Sequence, residues 1–241
     1  SASSELRALL TPALRQQLRA DHEAATVLCL KVGMQSCKKL REAKTVRWQH
    51  KGLSAAELAL LGTLGSVLPA LVHLTLADTS DSAGPDGAQR LVEALGAGAL
   101  PAVTLLTVSD MHVGDAGALA LAAALDRGAL PRLETLQLIG TAIGDAGLVA
   151  LAPALRRRLA LDSLCLRFNP IGDEGLTALV APPPPAGTLP TGRLKKLEEL
   201  HLEDTQVTDA GCAALAAVLD SGALPALKVL KLDGIPASDA A

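Results

Sequence analysis

Aromatic residues are nearly missing from this chain: its 241 residues include one Trp, one Phe and no Tyr. Because 49% of the residues are still apolar, the core has to be built of Leu, Val and Ala. Such side chains suit thin, regular layers that pack mainly on their neighbours. The same shortage disfavours nucleic-acid binding, which draws on aromatic stacking and positive charge, whereas the formal net charge here is −3. Long hydrophobic runs are missing too. Asp, Arg, Gly or Pro interrupts every Leu- and Ala-rich stretch before it reaches the roughly 20 residues that cross a bilayer. No membrane span is therefore expected, and the chain reads as soluble. The four cysteines, Cys29, Cys37, Cys165 and Cys212, form no C-x-x-C pair and have no His at zinc-finger spacing. No metal site and no cofactor is expected, and reduced thiols point to an intracellular, cytoplasmic setting. The sequence shows neither an initiator Met nor a signal peptide, so an organelle stays open if a targeting segment has been removed.

Charge is unevenly spread. Residues 1–50 carry nine basic groups against four acidic ones, or +5, which leaves −8 for the rest. A basic head on an acidic body offers a contact for an acidic partner or surface, and equally describes a solvated helix face and loop. Within the head, Leu6, Leu9, Leu10, Leu14 and Leu18 fall at helical spacing. Thr11-Pro12 breaks the run and predicts a second helix with Pro12 at its first position. Ala25 to Val32 reads as a short strand with Leu28, Leu30 and Val32 on one face, ended by Gly33. Residues 35–44 are basic and without a clear period. Residues 1–42 are thus expected to be an N-terminal cap of helices plus one short strand, covering the open end of a repetitive core.

The repetition starts near residue 43. Leu133 to Leu155, LETLQLIGTAIGDAGLVALAPAL, reads as one strand, one tight turn and one amphipathic helix. Its Leu133, Leu136, Leu138, Thr141 and Ile143 follow the spacing L-x-x-L-x-L-x-x-(N/C/T)-x-L. The second Leu of that phrase recurs as Val46, Leu74, Leu106, Leu136, Leu164, Leu200 and Leu230, and two residues later stand Trp48, Leu76, Val108, Leu138, Leu166, Leu202 and Leu232. Seven registers agreeing at two core positions imply about seven repeats over 43–236, the last incomplete, with 237–241 as a tail.

Between strand and helix lies a glycine motif: Gly114-Asp-Ala-Gly117, Gly144-Asp-Ala-Gly147, Gly172-Asp-Glu-Gly175 and the variant Thr208-Asp-Ala-Gly211. The Asp is expected to cap its own helix, and the glycines to serve the turn. Gly-Ala-Leu-Pro at 98–101, 128–131 and 222–225 is expected to end each helix and redirect the chain. Two insertions, 80–86 and the Pro-rich 181–192, lengthen connections. The run Pro182–Pro185 is expected to be extended polyproline II, either a plain insertion or a docking segment.

These phrases resemble the ribonuclease-inhibitor-like subclass of leucine-rich repeats, over roughly residues 43–236. The resemblance implies an α/β solenoid: a curved horseshoe with a parallel sheet on the concave side, helices on the convex side and here a helical N-terminal cap. It also implies binding to other proteins through the concave sheet and adjoining loops. One position departs from the family. Where Asn or Cys is usual, this chain has Lys51, Thr79, Met111, Thr141, Asn169, Thr205 and Ile235, so irregularity is expected at both ends and near Met111.

In a strand reading L-x-L, the intervening residues face away from the core. That defines the expected partner-binding face: Arg47, His73, Thr75, Thr107, Thr135, Gln137, Ile139, Arg167, Phe168, Glu199, His201, Glu203, Asp204, Lys231 and Asp233. Phe168, the sole Phe, reads either as an interface anchor beside Arg167 or as a ring packed under a loop. Glu199, His201 and Glu203 share one face, but nothing around them supports a metal or acid–base site, and the acidic cluster reads equally as cross-strand charge pairing. The glycine motifs are not phosphate loops, since no Lys-Ser/Thr follows them.

The expected function is a non-catalytic protein–protein interaction module, not an enzyme, with one or more protein partners and no nucleic acid. The alternative is a structural subunit of a large multiprotein assembly, contacting it through the basic cap or the Pro-rich loop. A GTPase-activator-like regulator is a weaker alternative, because no diagnostic residue set supports it.

Overall fold

A computed structural model describes residues 11–77, 83, 87–157, 160–180 and 194–237. Two helices open it, α1 (Pro12–Lys31) and α2 (Cys37–Glu42). Seven strands follow: β1 (Thr45–Gln49), β2 (His73–Ala77), β3 (Leu105–Ser109), β4 (Thr135–Ile139), β5 (Ser163–Cys165), β6 (Glu199–His201) and β7 (Val229–Lys231). Between consecutive strands lie α3 (Ala55–Leu64), α4 (Gly87–Glu93), α5 (Gly114–Asp126), α6 (Asp145–Arg156), α7 (Asp173–Val180) and α8 (Asp209–Asp220). The strands make one parallel sheet in simple sequence order. Its register joins Val46, Leu74, Leu106, Leu136, Leu164, Leu200 and Leu230 in one row, the row read from the sequence.

The sheet and the helices share one continuous core of Leu, Val and Ala. Each wholly buried Leu contributes about 2 kcal/mol relative to exposure. The helices are held close by small residues: in α5, Ala118, Ala122 and Ala124 are buried beside Leu121 and Leu125. Ala is also the best helix former. In the last turn the equivalent leucines, Leu230 and Leu232, are only half-buried, since no further turn packs on them among the described residues. Gly98, Gly128 and Gly222 take left-handed φ of +68°, +89° and +69° after their helices, as expected of helix-ending glycines.

Four expectations need correction. Residues 25–32 are not a strand; 25–31 are the end of the 20-residue α1 and Val32 follows it in a turn. Ala25, Leu28, Cys29 and Val32 are buried at spacings of three, one and three, whereas Val27 and Leu30 are exposed. Packing on the first turn selects the helical face over the apparent alternation. Within residues 35–44, α2 forms around one buried residue, Leu40, and the Ser36 hydroxyl caps it by accepting from Lys39 N.

The Asp of the glycine motif does not cap its own helix. Asp115 Oδ1 accepts from Gly144 N at 2.7 Å, and Asp145 Oδ1 from Gly172 N at 2.7 Å and Gly175 N at 2.9 Å. Asp173 accepts from the Thr208 N–H at 2.8 Å and from its hydroxyl at 2.6 Å. Each carboxylate therefore satisfies the helix start of the following turn. The second glycine exists for that carboxylate: a Cβ on Gly147 would lie 2.5 Å from Asp115 Oδ1, and one on Gly175 would lie 2.7 Å from Asp145 Oδ1.

The solenoid is not irregular near Met111. Strand β3 pairs over five residues with both β2 and β4, and Met111 is buried. An apolar side chain fills that position without asking the backbone for hydrogen bonds. The expectation for 181–192, like that for the helix before Thr11, Thr79 and most of 80–86, falls outside the described residues.

Candidate functional site: the outward sheet face and its exit rim

The parallel register stacks the outward residues in columns. One column runs Thr45, His73, Leu105, Thr135, Ser163, Glu199 and Val229, and the next Arg47, Thr75, Thr107, Gln137, Cys165, His201 and Lys231. All the side chains expected on the binding face are therefore brought to one side of the sheet or to its exit rim. Their exposure differs. Arg47, Arg167, Glu199, Asp204, Lys231 and Asp233 are exposed, whereas His73, Thr75, Thr135, Gln137, Ile139, His201 and Glu203 are half-buried.

Two members of the central column are buried instead. Thr107 donates to Gln137 Oε1 at 3.0 Å, and Cys165 lies in register between Gln137 and His201. Burial pushes the Cys165 thiol up from its ordinary pKa, partly offset by Arg167 and reinforced by Glu203. A thiol held neutral is a poor nucleophile.

Towards the last turns the face becomes polar and acidic. Ser163 Oγ donates to Glu199 Oε2 at 3.2 Å, and Thr135 Oγ1 to Asp162 Oδ1 at 3.4 Å. A groove of about 280 Å³ opens there, lined by Thr135, Gln137, Asp162, Ser163, Glu198 and Glu199. His201 sits between two carboxylates, Nε2 at 3.8 Å from Glu199 and Nδ1 at 3.3 Å from Glu203. The other Glu203 oxygen, Oε2, is buried without a hydrogen-bond partner among the described residues. Among the described residues, no group of three or more His, Cys, Asp or Glu side chains is arranged to hold a metal ion.

The exit rim is the feature that sequence reading did not isolate. One residue past the third outward position of six of the seven strands, the backbone turns left-handed at His50, Asp110, Gly140, Phe168, Asp204 and Gly234, with φ between +51° and +73°. Each of His50, Asp110, Gly140, Phe168 and Asp204 donates its N–H to the next turn, as Phe168 N does to Glu203 O at 2.9 Å. Gly, Asp and His tolerate this conformation, but a bulky aromatic residue strains it by about 1–3 kcal/mol. Phe168 nevertheless occupies it, 54% exposed, with the Arg167 guanidinium 5.7 Å from the ring centroid. The ring is not packed under a loop. The signal was available in the sequence, because Phe is the odd member of a column otherwise made of His, Asp and Gly.

Comparison with known proteins bears on the repeats. The family model described as "Leucine Rich repeat" matches residues 130–152, 161–180 and 193–216. No curated protein gives a significant match. Among solved structures, the chain is similar to the leiomodin-1 actin-binding site 2, at 18% identity over 68% of this chain and 86% of that one, with a TM-score of 0.47. It is also similar to internalin C2 of Listeria monocytogenes, at 19% identity over 90% of this chain and 85% of that one, with a TM-score of 0.45. No helix among the described residues is long and apolar enough to cross a membrane. With its row of core leucines, its seven parallel strands and those family-model matches, the chain carries leucine-rich repeats at residues 130–152, 161–180 and 193–216 and has the fold of an α/β solenoid.

Proposed function

We propose that the chain is a non-catalytic protein-binding module of the ribonuclease-inhibitor-like kind, engaging a partner protein through the concave sheet face and its exit rim. One observation carries the reading: a strained, exposed Phe168 in a chain that has no other Phe. Leu100 and Leu130 hold nearly the same φ but are locked by burial in the core, whereas Phe168 is exposed and has no core packing to hold it there. The surroundings suit an interface. Phe168 and Arg167 offer a rigid apolar and cationic anchor pair of the type that dominates binding energy. Beside them lie Ile139, the side-chain-free Gly140, and the charges of Asp110, Glu199, Glu203, Asp204, Lys231 and Asp233. The buried, unpartnered Glu203 Oε2 is an acceptor waiting for a donor from outside. The helix-per-turn plan and the second-glycine motif support the subclass assignment.

The test is capture from the native source followed by mass spectrometry, and then a binding assay with the partner so identified. Phe168→Ala should weaken affinity at least tenfold, and joint charge reversal at Glu199, Glu203 and Asp204 should weaken it further. A second reading, a structural subunit held through the cap, draws on the exposed Val27 and Leu30 one helical turn apart on α1, near the basic α2. Unchanged capture by the face variants, with loss on deleting residues 1–42 or 181–192, decides for that reading and against the first.

A further inference from the structure

Away from the sheet, α1 and α2 bring two thiols together. Cys29 lies on the last turn of α1 and is fully buried; Cys37 is the first residue of α2 and is partly exposed. Their sulfurs are 3.8 Å apart. The connecting loop is held by Met34 N donating to Cys29 O at 2.7 Å, and Gly33 turns the chain at φ +84°.

The hydrogen bonds around the pair run in one direction. The single proton of the Thr26 hydroxyl goes to His22 O at 2.8 Å. At the 3.7 Å contact between Thr26 Oγ1 and Cys37 Sγ, the thiol must therefore be the donor. The Cys29 thiol in turn donates to Cys37 Sγ. Cys37 is the more exposed of the two residues, with the buried Cys29 sulfur 3.8 Å from its own.

We propose that Cys29 and Cys37 form an oxidisable dithiol site, with Cys37 as the peroxide-reactive thiol and Cys29 as the resolving one. The co-reactant is a hydroperoxide, hydrogen peroxide being the simplest. Cys37 sulfur attacks the peroxide and becomes a sulfenic acid, releasing water. Cys29 sulfur then attacks Cys37 sulfur, its proton leaves with the sulfenic oxygen as a second water, and the disulfide closes. Two thiols lose two electrons, and the peroxide O–O bond is reduced to two waters. The product ties α1 to α2 across a loop short enough that the sulfurs need to approach by less than 2 Å. Burial, together with the Cys37 contact, pushes the Cys29 thiol up to about 11, so closure should quicken as pH rises from neutral.

The site is independent of the partner-binding face, and its test needs no partner. The full chain carrying Cys165→Ser and Cys212→Ser is treated with hydrogen peroxide, alkylated without reduction and digested with trypsin. Cleavage after Arg19, Lys31 and Lys38 places the two cysteines on separate peptides, 20–31 and 32–38. A disulfide-linked pair of these peptides, with both free thiols lost together, is the expected result. Cys29→Ser should abolish the link and leave Cys37 as a sulfenic acid that dimedone traps. Cys37→Ser, at the partly exposed position, should abolish it without loss of fold and leave Cys29 free to alkylation after unfolding. Two intact thiols after peroxide, Cys37 driven to sulfinic acid with Cys29 present, or a disulfide between two chains would each overturn the proposal.

Discussion

Met111 and Asn169 occupy the same place in two turns of the solenoid, and both are buried. They join neighbouring turns by opposite means. Around Asn169, three donors converge on Oδ1: Thr141 N, Thr141 Oγ1 and Ile143 N, each at 3.1 Å. Its Nδ2 reaches the carbonyls of Leu138, Leu166 and Arg167 at 2.7, 2.8 and 3.1 Å. Met111 only fills space. The strand before Met111 pairs over five residues with each neighbour and the strand before Asn169 over three, so the polar network is not what sets the register. The row of core leucines does that, and the amide network adds tightness that depends on one side chain.

The comparison is most severely tested by Asn169→Leu. The change leaves the Thr141 and Ile143 N–H groups and the Leu138 and Leu166 carbonyls without partners in a dry interior. About 4 kcal/mol should be lost in urea unfolding. Met111→Leu keeps volume and makes no polar demand, and it should lose less than about 1.5 kcal/mol. Equal losses for the two would break the contrast. A second pair of variants separates the two glycines of one motif. Gly147→Ala drives a Cβ to 2.5 Å from Asp115 Oδ1 and 3.0 Å from its Cα, and should cost about 2 kcal/mol. Gly144→Ala meets its nearest atom at 3.4 Å on an extended backbone and should cost under about 1 kcal/mol in the same assay.

Smaller and of opposite sign is Phe168→Gly. Removing the Cβ at φ +58° should raise stability by up to about 1 kcal/mol by thermal or urea unfolding, even as partner affinity falls. A variant that loses stability would show the ring to be structural. The smallest effect is one of pH. Hydrogen bonds from the Thr208 hydroxyl and N–H, opposed by slight burial and helped by Gly211, hold the Asp173 carboxyl below its usual range. Its contribution is present above the unfolded carboxylate value of about 3.9 and fades as pH falls through the depressed folded value. Asp173→Asn should flatten that part of the acid-unfolding curve. Because the group is exposed, the difference should be slight.

Much of the fold was legible because its strongest determinant is local and repeated. Leu136 and Leu138 announce a strand, and six further strands have their counterparts in register. Less legible was whatever depends on the turn next door. Asp145 is written as the cap of its own helix, and only the stacked geometry shows it serving Gly172 and Gly175. Val27, Leu28, Cys29 and Leu30 look extended in isolation; packing on the first repeat makes them helical. Alternation tells which side chains share the outward column but not how exposed each is, and Cys165 and Thr107 are buried there. The strain at Phe168 lies in a torsion angle that no residue pattern states directly, although the residues sharing its column hinted at it.

The one-way reach of the Asp carboxylates has a consequence for how the protein is made. Asp115, Asp145 and Asp173 each extend towards the turn that follows in the chain, never towards the one before. During synthesis the earlier turn emerges first, so each new helix meets a ready acceptor for its leading N–H groups. Shortening the chain turn by turn from its far end would uncover a layer of core leucines at each step but, of these hydrogen bonds, would strand only a solvated carboxylate. Shortening it from the other end would leave a helix start unserved. In these contacts the solenoid has a direction, and it runs the same way as synthesis.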